Sequence, residues 1–309
     1  MMIMRYSVID LGSNTIRMSV FDAEDGKYHQ ILSEKEMIGL IGYAEKGILS
    51  PDGILRVTET MKTFCETSRA IGAESVHCFG TAGLRSIKNA EEIVAKVADA
   101  TDVHIQIISG EEEARLDFLG AYHPEGITEG LMVDMGGGST ELVRYRNGEI
   151  ENAVSLSFGS LNLYKRFVSK VLPGKEEFAQ ITEFVKKQFA FVDWLPESAE
   201  HLLLIGGTAR AIARLHRELN VREEDSLQGY TFNTEDYPKL LYYATHKKKS
   251  AIRSILRVSP ERIHTIVPGL IAFTLLAETV GCKTASISRT GVREGYLKEY
   301  VLKNGSTAK

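Results

Sequence analysis

Cysteine is scarce in this sequence: Cys65, Cys78 and Cys282 are far apart and form no CxxC pair. That excludes a disulfide framework and the common zinc-site spacings, and the three read as buried thiols of a reducing compartment. A basic excess is also missing. With 37 Lys and Arg against 41 Asp and Glu, the net charge is −4, the wrong sign for a nucleic-acid coat or a protein that lies on anionic lipid. No apolar run is long enough to span a bilayer. The greasiest, "IVPGLIAFTLLAETVG" from Ile266, is broken by Pro268 and Gly269 and carries Glu278; it falls short of the ~20 residues a span needs and reads as a buried helix. The opening "MMIMRYSVID" lacks the apolar core and cleavage site of a signal peptide. No Ser-His-Asp or Cys-His arrangement and no metal-like His spacing can be read. The expectation is a cytoplasmic globular protein with neither nucleic acid nor membrane as partner.

At 309 residues, 43% of them hydrophobic, the chain exceeds what one core usually serves, so two domains are expected. The sequence carries a faint internal repeat. "IDLGSNTIRMSVF", from Ile9 to Phe21, aligns without a gap on "VDMGGGSTELVRY", residues 133 to 145, pairing Asp10 with Asp134 and Gly12 with Gly136. Each copy reads as strand, tight turn, strand, and each opens an α/β half. "YHPEGITEG" reads as a linker, so the predicted domains are 1–122 and 123–309, the last helix, about 290–303, being free to pack back on the first. Ser50 is the predicted N-cap of a helix starting at Pro51. Ser109 is the predicted N-cap of the helix in "SGEEEARLDFLGAY", with Glu112 as its reciprocal capping-box partner. "TAGLR" is predicted as a loop. The predicted fold class is α/β, a duplicated fold of two domains with an interdomain cleft.

A glycine-rich turn lets successive backbone N–H groups converge on an anion, with phosphate the usual guest. Gly136, Gly137 and Gly138 offer such a nest, with Ser139 and Thr140 as further donors. Asp134 and Glu141 would repel a phosphate unless a hard cation bridged them, so a Mg²⁺ site on those two carboxylates is expected. Gly206, Gly207 and Thr208 follow a strand and start a helix, adding N–H groups for the same anion. Arg85, in "GTAGLR", is placed to grip a phosphate bidentately. In "GEEEAR" one carboxylate is free to orient water while another caps the helix, and spacing alone leaves open which. The run Lys247, Lys248, Lys249, Arg253, Arg257 and Arg262 reads as a solvated face or a guide for a polyanion.

Together "IDLGSNTIR", "GTAGLR", "ISGEEEARL", "VDMGGGSTEL", "LIGGTARAIA" and "GVREGYL", in this order, resemble the exopolyphosphatase and guanosine pentaphosphate phosphohydrolase family, of duplicated actin-like (ribonuclease H-like) fold. The resemblance implies a phosphoanhydride hydrolase acting by water attack, with Glu113 as general base. It places Asp10, Gly12, Ser13 and Asn14 in a first phosphate loop, Asp134, Gly136, Ser139 and Glu141 in the loop for phosphate and metal, and Arg85 on phosphate. The expected partners are inorganic polyphosphate or a guanosine penta- or tetraphosphate, and a homodimer is compatible with the resemblance. The chain looks like a short two-domain form, and Asn162 stands where many members carry an arginine. The leading expectation is a Mg²⁺-dependent exopolyphosphatase. A guanosine pentaphosphate 5′-phosphohydrolase is the alternative within that chemistry, and a guanosine tetraphosphate-binding regulator the alternative outside it.

Overall fold

A computed structural model describes residues 3–123, 127–195, 199–220 and 226–303. It divides within one helix into two compact units, the first running to Leu116 and resuming at Arg293, the second spanning Asp117–Val292. The sequence-based boundary lies a few residues later, near 123, and the centre of its linker, 124–126, is outside the described residues.

In the first unit come strands β1 (Met4–Leu11), β2 (Thr15–Glu24) and β3 (Lys27–Met37), a four-residue α1 (Leu40–Tyr43) and a minimal hairpin of β4 (Ala44–Glu45) and β5 (Ile48–Leu49). Then follow α2 (Pro51–Ala70), β6 (Ser75–Gly80), α3 (Ala82–Arg85), α4 (Ala90–Thr101), β7 (Ile105–Ile107) and α5 (Gly110–Ala121), which runs across the division. Ser50 starts α2 as predicted, its Oγ accepting from Gly53 N at 3.2 Å with Pro51 in the first helical position. The sheet runs β3-β2-β1-β6-β7, antiparallel through the first three strands and parallel beyond. Ile9, Leu11, Met18 and Val20 meet Val57, Met61 and Phe64 of α2 and Ile93 and Val97 of α4 in one core.

The second unit repeats the plan with β8 (Glu129–Met135), β9 (Thr140–Arg146), β10 (Glu149–Leu156), α6 (Ser160–Phe167), α7 (Lys175–Ala190), β11 (His201–Ile205) and α8 (Gly206–Leu219). It continues through β12 (Thr231–Asn233), α9 (Asp236–His246), α10 (Lys248–Val258), a 3₁₀ turn at Pro260–Arg262, α11 (Ile266–Val280) and β13 (Thr284–Ile287). The sheet order is β10-β9-β8-β11-β13-β12. Five of its strands reproduce the first sheet, and β12 adds an antiparallel edge. In each unit the second hairpin closes on a two-residue turn of positive φ, Asp25-Gly26 in one and Asn147-Gly148 in the other, the geometry whose twist matches paired strands. This is the duplicated actin-like fold. The greasy α11 is buried almost all round, and among the described residues no helix is long and apolar enough to cross a membrane.

Several local expectations are corrected. "TAGLR" is the short helix α3, held by Leu84 N and Arg85 N on the carbonyl of Thr81. Helix α6 stops at Phe167, where Val168 turns extended. Nothing in the sequence pointed to the edge strand β12, three residues long. The last predicted helix is α12 (Val292–Tyr296) passing into a π-helical turn, Leu297–Leu302.

Candidate active site

In each unit the predicted residues gather at the carboxyl ends of neighbouring parallel strands. In the first, β1, β6 and β7 lie side by side, with Leu11 opposite Gly80 and Gly80 opposite Ile107. Directly beyond those ends follow Gly12 to Asn14, Thr81 to Arg85, and Ser109 to Glu113. In the second, Ile205 at the end of β11 lies beside Asp134 on β8, so the turns at Gly136 and Gly206 are neighbours.

The repeat seen in the sequence is a repeat of register. Asp10 faces Arg17 across β1 and β2, and Asp134 faces Glu141 across β8 and β9. Both turns close alike, Gly12 N donating to Thr15 O and Gly136 N to Ser139 O, each at 3.0 Å. The rows then diverge in charge. Arg17 is followed by Lys35 on β3, whereas Glu141 is followed by Ser155 on β10, whose Oγ donates to Glu141 Oε1 at 2.8 Å. Residues opposite one another on antiparallel strands project to the same side. The second turn therefore carries two carboxylates together, and the first a carboxylate with two cations. Arg17 was not singled out in the sequence, although the gapless repeat aligns it with Glu141.

Behind the glycine turn stands α6. Ser160 N and Ser160 Oγ donate to Gly136 O, and Leu161 N and Asn162 N donate to Gly137 O. Asn162 Oδ1 accepts from Gly159 N at 2.7 Å while its Nδ2 donates to Gly138 O at 3.1 Å. Asn162 thus fastens the turn to the helix. The turn's carbonyls are occupied in this way, while among the described residues the N–H groups of Gly137 and Gly138 donate to no protein acceptor. That is the polarity an anion requires. Ser13, Ser139, Thr140 and Thr208 are buried. The Thr140 hydroxyl donates to Phe158 O at 2.6 Å and the Thr208 hydroxyl pairs with Ser160 Oγ at 2.9 Å, so both are engaged within the fold.

The third turn is shaped by what surrounds it. Gly206 has φ +83°, and a Cβ there would fall 2.1 Å from Asp134 Oδ1. A Cβ at Gly207 would fall 2.2 Å from Arg262 Nη2, so of the basic run Arg262 is the member packed over this turn. Others in that run serve the surface: Arg257 pairs with Glu218, and Lys248 Nζ donates to Pro173 O at 3.1 Å. Asp134 and Glu141 fit a hard divalent cation: both are oxygen donors projecting from paired positions, and the space beside Asp134 is kept clear by a glycine. Among the described residues no three His, Cys, Asp or Glu side chains form a cage. A cation held here would draw its remaining ligands from water and phosphate, as Mg²⁺ usually does.

In the first unit Glu113, 9% exposed, is gripped by Arg85 Nη1 at 2.7 Å, and the same nitrogen donates to Ile108 O at 3.0 Å. Ser109 Oγ accepts from Glu112 N at 3.1 Å, which is the predicted cap. The reciprocal half of the capping box is corrected. The Glu112 carboxylate is taken by Arg115, whose Nε and Nη2 each approach to 3.0 Å, and by the Tyr300 hydroxyl. A bidentate guanidinium outcompetes a backbone amide at the solvent edge. The Arg115 pairing, aided by Tyr300, holds the Glu112 carboxyl below the usual range.

The model of the Ppx/GppA phosphatase family matches residues 19–304. The Mycobacterium bovis protein named Exopolyphosphatase 1 is 25% identical over 305 residues, covering 95% of this chain and 87% of that protein. The crystal structure of the Aquifex aeolicus Ppx/GppA family member is 28% identical, covers 98% of this chain and 99% of its own, and superposes with a TM-score of 0.82. An exopolyphosphatase from Cytophaga hutchinsonii shares the fold at 23% identity, with 97% and 98% covered and a TM-score of 0.82.

Proposed function

This chain belongs to the Ppx/GppA phosphatase family, and from that membership we propose that it is an exopolyphosphatase, a Mg²⁺-dependent hydrolase that releases orthophosphate from the end of inorganic polyphosphate. The observation that carries the reading is the Arg85–Glu113 pair, a carboxylate fixed at 2.7 Å where α5 begins. Phosphoryl transfer asks mainly for positioning and charge neutralisation, so an oriented carboxylate suffices and no covalent intermediate on the protein is needed.

In this reading the Gly137 and Gly138 amides bind the oxygens of the terminal phosphate, with Ser139 beside them. Glu113 orients a water molecule and takes its proton as the water oxygen bonds to phosphorus and the bridging P–O bond breaks towards the shortened chain. Arg85 uses Nη1 to hold Glu113, and its remaining guanidinium N–H groups face the phosphate charge. Asp10, Gly12 and Asn14 form the first phosphate loop. Asp134 and Glu141 would hold the Mg²⁺, which when bound would neutralise charge on the phosphate oxygens. The Mycobacterium relative's name supports polyphosphate as the substrate. The protein is further proposed to act in the cytoplasm.

Orthophosphate release with Mg²⁺, from polyphosphates of several lengths and from guanosine pentaphosphate, tests the proposal in the wild type beside Glu113→Gln. Release from polyphosphate that falls by about 10²–10⁴ in the variant is the expected result, the usual weight of a general base. Release from the nucleotide alone would make the enzyme a guanosine pentaphosphate 5′-phosphohydrolase. Release from neither, with tight guanosine tetraphosphate binding, would leave a regulator.

A further inference from the structure

Glu113 is held on one side by Arg85, but a helix can still turn about its own axis. The carboxylate stands about 5–6 Å from the axis of α5, so a rotation of about 10° displaces it by roughly 1 Å. A displacement of that size is enough to cost up to ~10²-fold in rate. Beyond the buried face of the helix, the neighbouring residue opposes that rotation. Glu112 is bound by Arg115 through two nitrogens and by the Tyr300 hydroxyl, and Arg115 Nη1 reaches Glu299 Oε1 at 3.3 Å.

Both gripping residues, Glu299 and Tyr300, lie in the π-helical turn Leu297–Leu302. Such turns are rare and occur frequently at functional positions. They are also anchored outside α5. The Tyr300 ring lies 4.9 Å from that of Tyr296, which stacks on Phe79 of β6 at 4.8 Å, and Tyr296 Oη donates to Gln106 Oε1 of β7 at 3.0 Å. Strands β6 and β7 are the ones whose carboxyl ends lead to Arg85 and to Ser109. Tyr300 therefore refers the rotation of α5 to the strands that position Arg85. At the crossing a Cβ on Gly295 would fall 1.8 Å from Leu116 O, so the final segment lies against α5 with no side chain between.

We infer that Tyr300, acting through Glu112 and Arg115, is a positioning residue for Glu113: the final segment of the chain sets the angle at which the carboxylate meets its water. The inference rests on the reading of Glu113 as the residue that orients water. It does not make Tyr300 touch substrate, and it separates Tyr300 from a hydroxyl that only stabilises the fold.

The test compares Tyr300→Phe, Glu112→Gln, their double variant and Glu113→Gln, by steady-state orthophosphate release from polyphosphate and by thermal melting of the full chain. Tyr300→Phe is expected to lower kcat about 5- to 20-fold with KM unchanged within twofold, and the double variant to be no slower than Glu112→Gln alone. Wild-type kcat in Tyr300→Phe with turnover lost in Glu113→Gln would overturn this inference and leave the Glu113 reading intact. Undiminished turnover in Glu113→Gln would overturn both. Losses that multiply in the double variant, or a rise in KM matching the fall in kcat, would also refute a role through Glu112. Should Tyr300→Phe fail to fold, Glu112→Gln decides alone: a fall in kcat at unchanged KM supports the inference, and wild-type kcat removes it.

Discussion

Replacing Gly206 with alanine separates the chemistry of Asp134 from the stability of its turn. At φ +83° an L residue costs about 1–2 kcal/mol of backbone strain. The melting temperature of a unit this size should then fall by roughly 2–8 °C. The added Cβ would start 2.1 Å from Asp134 Oδ1, where even 3.0 Å forces a shift, so the carboxylate must yield by about 1 Å. On the proposed role of Asp134, kcat should drop by about 10- to 100-fold, and the Mg²⁺ concentration for half-maximal activity should rise. Gly281→Ala supplies the control: its φ is +72° and nothing lies within 4 Å of its Cβ, so it carries the strain without the collision. Orthophosphate release titrated with Mg²⁺ and a thermal melt, run on both variants, give the answer. If the two melt alike and share wild-type turnover and Mg²⁺ dependence, Asp134 does not hold the cation.

Three further outcomes follow from the same structure. Gly83→Ala would place a Cβ 2.8 Å from the backbone of Gly12 and Ser13, which cannot swing aside; a loss of about 1–3 kcal/mol in urea unfolding is expected, together with reduced turnover from a displaced first loop. His201 is buried between the hydroxyls of Thr284 and Ser286, and burial pushes its pKa down to about 4 from 6.5. The unfolded chain takes up this proton first on acidification, so the contribution is full above pH 6.5 and is lost as pH falls to about 4; it amounts to roughly 3 kcal/mol, and His201→Gln should flatten urea stability across that window. Glu177 accepts from Gly174 N, Ser169 N and Ser169 Oγ, the Gly174 amide foremost in holding its pKa down to about 2 from 4.5. Glu177→Ala should cost about 1 kcal/mol at pH 7, and the gap in melting temperature should close as pH falls from 4.5 towards 2, where the wild-type carboxylate is itself protonated.

Much of the fold was legible because its signals are local. Ser50-Pro51 and Ser109 announce helix starts, and the gapless repeat announces two matching hairpins. The misses come where partners are distant in sequence. Glu112 satisfies every local rule for a capping box; Arg115, three residues on, competes for its carboxylate, and the hydroxyl of Tyr300, 188 residues on, completes the alternative that the sequence does not show. β12 is three residues paired to β13 and has no period of its own to read. In the candidate site, glycines and acids were visible as a motif. The fastening of Gly138 by Asn162 and the packing of Arg262 on Gly207 were not, since each joins segments whose meeting depends on the sheet order.

The first unit is not continuous in the chain: after Leu116 it waits for the segment that begins at Arg293. On the ribosome, at roughly 5–20 residues per second, the intervening stretch takes on the order of ten to thirty seconds to make. Throughout that interval Phe79 lacks the ring of Tyr296, and Glu112 lacks the hydroxyl of Tyr300. The nascent first unit is thus an incomplete product exposed to chaperones and proteases, and it acquires the Tyr296 ring only after the whole second unit has been made. On the role inferred for Tyr300, Glu113 is not aimed until the segment that begins at Arg293 has been made.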